Sequence, residues 1–339
     1  MQNSTMLTRC GFARAALAGS AVLAFPALVR AAEPRTFSFG FDEPRDTGYG
    51  FFGDRFSDKI AELSAGSFKI QQYPSAQLGS EVEMAQKVRS GDLDFCINSL
   101  ANAAAMSAQL GAMSLEYLFP DERTLVKAVL DPGINDTFRK LVAATVTGLE
   151  ALGLITLGLR NMYAKFPITN VGDIKGKKFR VQATKTEDAF MTSYGAIPVH
   201  MPFGQVYTSL QTGVVEVAEN GTDIYFSNKH YEVAPVLSLT RHEANNNMVM
   251  LSSKTAASLS ADQRRWVTQA FEYAQRLEVP KAIELDHGAL DKLKALGVQI
   301  VSNVDTASFA NIARPLDAQL AETLGPYSQQ IVKQIRALK

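Results

Sequence analysis

The sequence predicts an α/β protein folded as two lobes tied together by one long helix. Three observations predict it. Strand and helix signals alternate along the chain, with no repeat or low-complexity tract between them. Roughly 300 residues remain after the N-terminal segment discussed below, more than one hydrophobic core usually serves. A helical pattern opens at Ser260, where Gln263 completes a capping box, and runs through Trp266, Ala270, Tyr273 and Leu277 to about Leu296. At ~1.5 Å per residue such a helix can lie across both lobes. Pro280 falls inside it and predicts a kink, because proline lacks the N–H and crowds the preceding turn.

The other elements follow in order. Residues 36–41 alternate as a strand, and Phe52, Phe56, Ile60 and Leu63 recur at a helical period up to Gly66, where a left-handed cap is easy. Residues 67–73 read as a strand ended by Pro74. A helix over 80–89 starts on a capping box, with Ser80 as N-cap and Glu83 three residues on. Residues 94–98 form the next strand, and helices fit 121–130 and 134–147, punctuated by Pro132 and Gly133. The apolar run 152–159 is long enough for a buried strand. Strands follow at 178–182, 197–201, 214–218 and 248–252, with helices at 186–194 and 203–211 among them.

At the N-terminus, Arg9 and Arg14 are followed by the apolar run 15–29, which ends in Val-Arg-Ala-Ala at 29–32. This is the pattern of a secretory signal peptide, residues 1–31, with a small-residue cleavage site after Ala31 or Ala32. Roughly fifteen apolar residues are fewer than the ~20 of a spanning helix, so removal rather than anchoring is expected. Cys10 precedes the apolar run and is not at the cleavage point, so a lipid anchor there is not expected. Loss of Arg9, Arg14 and Arg30 would move the balance from 34 basic against 34 acidic residues to 31 against 34. That mild acidity argues against a nucleic-acid binder. Cys96 alone would remain, which leaves neither an intrachain disulfide nor a cysteine metal site. Its expected place is as a buried thiol in an apolar strand.

The signatures of catalysis are missing. His200, His230, His242 and His287 are scattered without metal-ligand spacing. There is no Gly-x-Ser-x-Gly elbow, phosphate-cradling loop or Gly-rich dinucleotide turn at a strand-to-helix junction. Glu81 and Glu83 resemble a carboxylate pair, but two residues apart on one helix they point to different faces. They read instead as a helix-dipole partner and a capping-box member. The expectation is a protein with no catalytic set, no metal and no cofactor.

Several segments carry more information together than singly. Residues 73–80 read Tyr-Pro-Ser-Ala-Gln-Leu-Gly-Ser, and 90–95 read Ser-Gly-Asp-Leu-Asp-Phe. Residues 175–181 read Lys-Gly-Lys-Lys-Phe-Arg-Val, and 201–213 read Met-Pro-Phe-Gly-Gln-Val-Tyr-Thr-Ser-Leu-Gln-Thr-Gly. Val-Val-Glu-Val-Ala-Glu-Asn closes that block at 214–220, and Lys-His-Tyr-Glu-Val follows at 229–233. In this order and spacing they resemble the solute-binding proteins of tripartite ATP-independent periplasmic (TRAP) transporters, typified by dicarboxylate- and sialic-acid-binding proteins. The resemblance spans essentially the whole mature chain. It implies a two-lobe periplasmic binding protein clamshell that captures an organic acid and hands it to a membrane permease without doing chemistry on it.

The resemblance also implies a site. In that family the arginine of the Lys-x-x-Arg-Val stretch pairs with the ligand carboxylate, and Arg180 occupies its place. A guanidinium offers two parallel donors matched to two carboxylate oxygens. Arg180 also falls near the end of a short strand, where α/β sheets usually bind ligands. Arg160 matches a second family arginine near the ligand, although on sequence alone it fits an interlobe salt bridge equally well. Asn220 matches an asparagine that helps hold the same carboxylate; its bare reading is a helix N-cap before 222–227. Phe203 matches an aromatic wall residue, with core packing as its bare reading. The first lobe is expected to choose among acids through Asp42, at the end of the first strand, and through Asn98 and Ser99. Turn capping is the alternative for these three. Asn245, Asn246 and Asn247 precede the strand 248–252, and Asn245 and Asn247 share one side if the stretch is extended. Sialic acid binders carry an asparagine three residues after the signature arginine and an arginine in the first lobe. Here Ala183 and Asn102 stand in those places, which disfavours sialic acid.

Chain order suggests a first lobe of 32–158 with a return segment near 247–286, and a second lobe of 159–246 with 287–339. Closure is then expected as a rigid-body rotation around the ligand. Asp42 would repel a second carboxylate but accept from hydroxyls. The expected ligand is therefore a hydroxylated or keto monocarboxylate such as a sugar acid, ahead of a C4-dicarboxylate. The expected partners are that acid and the TRAP permease subunits, with no nucleic acid, and the chain is expected to be a monomer.

Overall fold

The computed structural model describes residues 33–338, and the expected signal peptide lies outside them. The first part of the chain forms β1 (Arg35–Gly40), α1 (Gly48–Leu63), β2 (Phe68–Tyr73), α2 (Glu81–Ser90), β3 (Phe95–Ser99), α3 (Leu100–Ala103), α4 (Glu122–Leu130) and α5 (Pro132–Thr145). Then come β4 (Leu149–Ala164), β5 (Lys178–Val181), α6 (Lys185–Ser193), β6 (Ile197–His200), α7 (Val206–Thr212), β7 (Val217–Asn220) and α8 (Thr222–Ser227). The chain ends with β8 (Val236–Ser252), α9 (Ser253–Ala257), α10 (Ala261–Ala295), β9 (Gln299–Val301), α11 (Thr306–Thr323) and α12 (Pro326–Arg336).

The strands run in the order β2-β1-β3-β8-β4-β7-β5-β6, with β9 also beside β8. β1, β2 and β3 are mutually parallel at one end, and β5, β6 and β7 at the other. Two long antiparallel strands, β4 and β8, join these ends. β8 pairs with β3 through Asn247–Leu251, whereas β4 pairs with β7 through Asn161–Ala164. Each long strand therefore serves one half of the molecule with one end and the other half with the other end. Their mutual register slips between Thr156 and Leu159 and again between Arg160 and Met162. Gly158 sits in this break with φ at 90°, a conformation that a residue with a Cβ rarely adopts.

An apolar run alone did not reveal either long strand in full. The run 152–159 is only the middle of β4, and 248–252 only the end of β8. The remainder of each carries buried polar residues, such as Arg160 and Asn161 on β4 and the three asparagines on β8. The predicted helix at 203–211 is a 3₁₀ turn over Phe203–Gln205 followed by α7, and the strand at 214–218 begins later, at Val217. Gly213 ends α7 in a left-handed conformation, and Glu216, just before β7, pairs with Lys177 at 3.0 Å.

α10 is one uninterrupted helix of 35 residues with Pro280 inside it and the Ser260–Gln263 capping box formed. Its Phe271, Ala274 and Ala282 join the core of Phe39, Phe52, Phe56 and Phe95 under β1, while its Leu293 joins that of Tyr163, Tyr225 and Leu210 in the other half. Gln275 fixes its middle by donating to the Leu154 carbonyl at 2.7 Å and the Val129 carbonyl at 3.1 Å. Chain order put 287–339 with the second lobe, but α12 packs against α5 of the first half. Ser328 Oγ donates to the Gln109 carbonyl (2.9 Å), and Ile331 and Ile335 join the core around Phe138.

Phe271, 2% exposed with its ring 5.8 Å from that of Phe52, seats α10 on the first half. Phe271→Ala removes that burial and leaves a cavity, so urea unfolding should show a loss of about 3–5 kcal/mol.

Candidate ligand-binding site

The site lies where the two halves meet. From the first half come Asp42 and Glu43 just after β1, Tyr49 on α1, Glu81 at the start of α2, Ser99 at the end of β3 and Asn102 on α3. From the long strands and the second half come Arg160 on β4, Asn245 on β8, Asn220 at the end of β7, Arg180 on β5, Gln182 and Phe203. Together they wall a small cavity of about 20 Å³, room for about one water. Outside it lies a groove of about 630 Å³ that shares Asp42, Glu81, Asn102 and Phe203 with the cavity wall. A larger crevice of about 910 Å³, lined by Tyr117, Arg241 and Arg314 among others, has no residue in common with the cavity.

Glu219 on β7 organises the positive side. Arg160, from the adjacent strand, grips its carboxylate with two nitrogens, Nη2 lying 2.6 Å from Oε1, and both side chains are 3% exposed. Burial works against the charge of Glu219, yet the Arg160 guanidinium holds its pKa below the usual value. Arg180 reaches the same carboxylate only at 3.9 Å. Its Nη2 and Nε donate to the Met201 carbonyl at 3.2 and 3.4 Å, and its guanidinium carbon lies 5.8 Å from the centroid of the Phe203 ring. His242, 3.8 Å from Glu219, is pushed by burial down to about 4, and His230 to about 3, so both are neutral near pH 7. Arg160 is thus tied to Glu219 through two nitrogens, whereas Arg180 meets that carboxylate only at 3.9 Å and is the less closely paired of the two buried guanidiniums.

The opposite wall is rich in acceptors. Burial raises the pKa of Asp42, with Glu81 and Glu43 adding to it, and burial raises Glu43 to about 8. Asp42 Oδ1 and Gln182 Oε1 are buried without a hydrogen-bond partner. Such atoms cost free energy unless a donor reaches them, so this wall favours a molecule carrying hydroxyls.

Of the residues singled out from sequence, Arg180, Arg160, Asn220, Phe203, Asp42, Ser99 and Asn245 come together on the cavity wall. Asn98 and Asn247 do not. Asn98 turns its amide to the Glu81 carbonyl at 2.7 Å, and Asn247 stands one step behind, accepting from Tyr49 Oη at 2.6 Å and donating to the Asn245 carbonyl at 2.7 Å. The N-cap of α8 is Gly221, while Asn220 Oδ1 accepts from Asn245 Nδ2 at 2.8 Å. Arg160 forms its salt bridge within the second half and not between lobes. Sequence reasoning did not place Glu43, Tyr49, Glu81 or Gln182 at the site, and weighed Asn102 only as a substitution. Asp42 and Glu43 as adjacent acids at a strand end were the one available signal.

Glu219, His242 and Glu243 bring three ligand atoms within 4.8 Å of one another. A metal ion there would face the Arg160 guanidinium on the same carboxylate, so the donor set suits a cation poorly.

A cleft between two α/β halves, crossed by two strands and one helix and carrying a loosely paired buried guanidinium, defines a two-lobed solute-binding protein. Residues 41–323 match the bacterial extracellular solute-binding protein family 7, and the chain belongs to that family, the solute-binding proteins of TRAP transporters. Members are periplasmic substrate-binding proteins that bind small carboxylates and work with a TRAP membrane permease. The chain is 25% identical over 278 residues to the 2,3-diketo-L-gulonate-binding periplasmic protein of Escherichia coli K12, spanning 82% of this chain and 84% of that one. It is 28% identical over 334 residues to the C4-dicarboxylate-binding periplasmic protein of Rhodobacter capsulatus, spanning 97% and 98%. A TRAP solute-binding protein from Polaromonas sp. JS666 with D-erythronate bound superposes with a TM-score of 0.84 at 28% identity, covering 90% of this chain and 99% of that one. The galactonate complex of a sugar acid binding protein from Advenella mimigardefordensis gives 0.84 at 25% identity, covering 90% and 98%.

The buried carboxyl groups make stability depend on pH. Burial raises Glu43 to about 8, and Glu187 and Asp317 each to about 7. Between the ordinary carboxylate range and these values the folded chain holds more protons than the unfolded one, so stability falls as pH rises. The two buried histidines act in the opposite sense, but only below their unfolded value of about 6.5. Urea unfolding at constant ionic strength should therefore show stability dropping from pH 6.5 to 8.5, with a shallower drop in Glu43→Gln.

Proposed function

We propose that the protein captures a hydroxylated or keto monocarboxylate, such as a sugar acid, between its lobes and delivers it to a TRAP permease. The carboxylate docks on Arg180, with Asn220 and Asn245 beside it, and the hydroxyls face Asp42, Glu43 and Gln182. The observation that carries this reading is the loosely paired Arg180 guanidinium opposite a wall of carboxyl groups. A second carboxylate on the ligand would find no guanidinium on that wall to receive it, whereas the carboxyl groups of Asp42 and Glu43 can exchange hydrogen bonds with hydroxyls. The relatives named for diketogulonate, erythronate and galactonate support a polyhydroxy acid. The relative named for C4-dicarboxylates keeps that class as the competitor.

The first lobe comprises 32–158, the return segment 247–286 and α12, and the second comprises 159–246 and the remainder. Closure rotates one against the other about β4, β8 and α10, and the ligand favours the closed form because both lobes touch it. The chain is exported by residues 1–31, acts in the periplasm as a monomer without catalysing a reaction, and binds no nucleic acid.

Calorimetric titration tests the ligand class. Among gluconate, galacturonate and erythronate, the tightest should bind at least tenfold more strongly than succinate or malate, a difference of about 1.4 kcal/mol or more. Equal or tighter binding of the dicarboxylates contradicts the reading.

A further inference from the structure

The crevice of about 910 Å³ has no part in the site described above. It lies among the turn entering α4, the first part of β8 and the first half of α11. Three arginines line it, Arg123 on α4, Arg241 on β8 and Arg314 on α11, and all three are exposed. Ala307 and Ala310, at helical spacing from Arg314, are small and leave room beside it. Exposed arginines elsewhere hold an acid: Arg45 takes Asp54 at 2.6 Å, and Arg264 takes Glu150 at 3.0 Å. Among the described residues, none of the three crevice guanidiniums forms a salt bridge or donates a side-chain hydrogen bond. The two acids of the crevice are already engaged. Asp121 caps α4 by accepting from the Thr124 N–H at 2.7 Å, and Glu122 lies 2.9 Å from His287 Nε2. Three guanidiniums therefore share one volume without anions of their own.

The backbone is strained where it shapes this wall. Arg241 and Tyr117, which also lines the crevice, adopt left-handed conformations with φ at 45° and 53°, which residues with a Cβ rarely take. Hydrogen bonds hold them there: the Tyr117 N–H donates to the His242 carbonyl at 2.6 Å, and the Arg241 N–H donates to Asn161 Oδ1 at 3.1 Å. Strained residues persist only where their surroundings fix them, and they gather at ligand sites. The volume lies within the roughly 300–1,000 Å³ of small-molecule sites. A guanidinium suits carboxylate and phosphate oxygens alike. A single exposed ion pair contributes little, so a monovalent anion gains little here, whereas a ligand with several anionic groups can engage more than one arginine. We propose that this crevice is a second binding site, for a small multivalent anion, and that Arg123, Arg241 and Arg314 hold it. Its ligand is a polycarboxylate or a phosphate compound with at least two charged groups. The site is separate from the cleft, so it fills alongside the acid held there, and it stands whether or not that acid is a sugar acid.

Calorimetry with citrate and with pyrophosphate, at one fixed ionic strength, tests the proposal. At least one of the two should bind at millimolar concentration or below, and Arg180→Gln, which removes the anchor of the cleft, should leave that affinity within twofold. Arg123→Gln with Arg314→Gln, both at exposed helix positions, should weaken it at least tenfold. Arg241→Asn, a residue that tolerates positive φ, should weaken it at least threefold, with circular dichroism showing each variant folded. Arg264→Gln with Arg265→Gln makes the same change of net charge away from the crevice and should leave the affinity within twofold. Tighter binding of citrate identifies a polycarboxylate ligand and tighter binding of pyrophosphate a phosphate one, and either supports the site. Failure of both anions to bind overturns it. So does binding that is lost in Arg180→Gln, which places the anion in the cleft, and so does an equal loss in the two double variants, which reduces the effect to net charge.

Discussion

Glu219 is one carboxylate facing two buried guanidiniums. Removing such charges from water costs several kcal/mol per ion, which only close pairing with good hydrogen bonds offsets. Arg160 takes the close, two-nitrogen position, and Arg180 is left at 3.9 Å with a backbone carbonyl as its main acceptor. The site is therefore built around a charge that the protein alone satisfies incompletely. In the function proposed here an incoming carboxylate completes the pairing, and because the guanidinium is already fixed and desolvated, little reorganisation opposes it.

The fold holds that arrangement between its two halves. β4 carries Arg160 at the point where its register with β8 breaks, beside Gly158. β7 and β5 bring Glu219 and Arg180 to the same level from the second half, while β1, α2 and β3 end against them from the first. A regular ladder through the crossing would resist bending, whereas interrupted pairing leaves few hydrogen bonds to distort there. α10 spans the back and contributes side chains to the cores of both halves, so it can guide the rotation while each core stays packed.

Much of this was legible in the sequence because local signals and global fold agree. Both capping boxes, Ser80–Glu83 and Ser260–Gln263, form, and the long helix continues past Pro280 to Ala295. The limits of β4 and β8 were not legible, because strands that line a polar cleft lack the apolar continuity by which buried strands are recognised. Arg180, Arg160 and Asn220 stood out through resemblance and residue chemistry. Glu81 did not, since a carboxylate in the first turn of a helix has an ordinary explanation in the helix dipole. Only tertiary packing brings Ser99 and Asn102 onto it. Asn98 and Asn247 illustrate the converse: polar residues at a cleft can serve the backbone behind the wall, and alternation does not tell which ones face inward.

The central claim is that the loosely paired guanidinium of Arg180 receives the ligand carboxylate. The direct measurement is the affinity of the tightest-binding sugar acid for the parent and for Arg180→Gln, compared by calorimetry after both are shown to be folded by circular dichroism. Loss of at least a hundredfold in affinity, about 2.7 kcal/mol, is the result this account predicts. Affinity retained within twofold would contradict it.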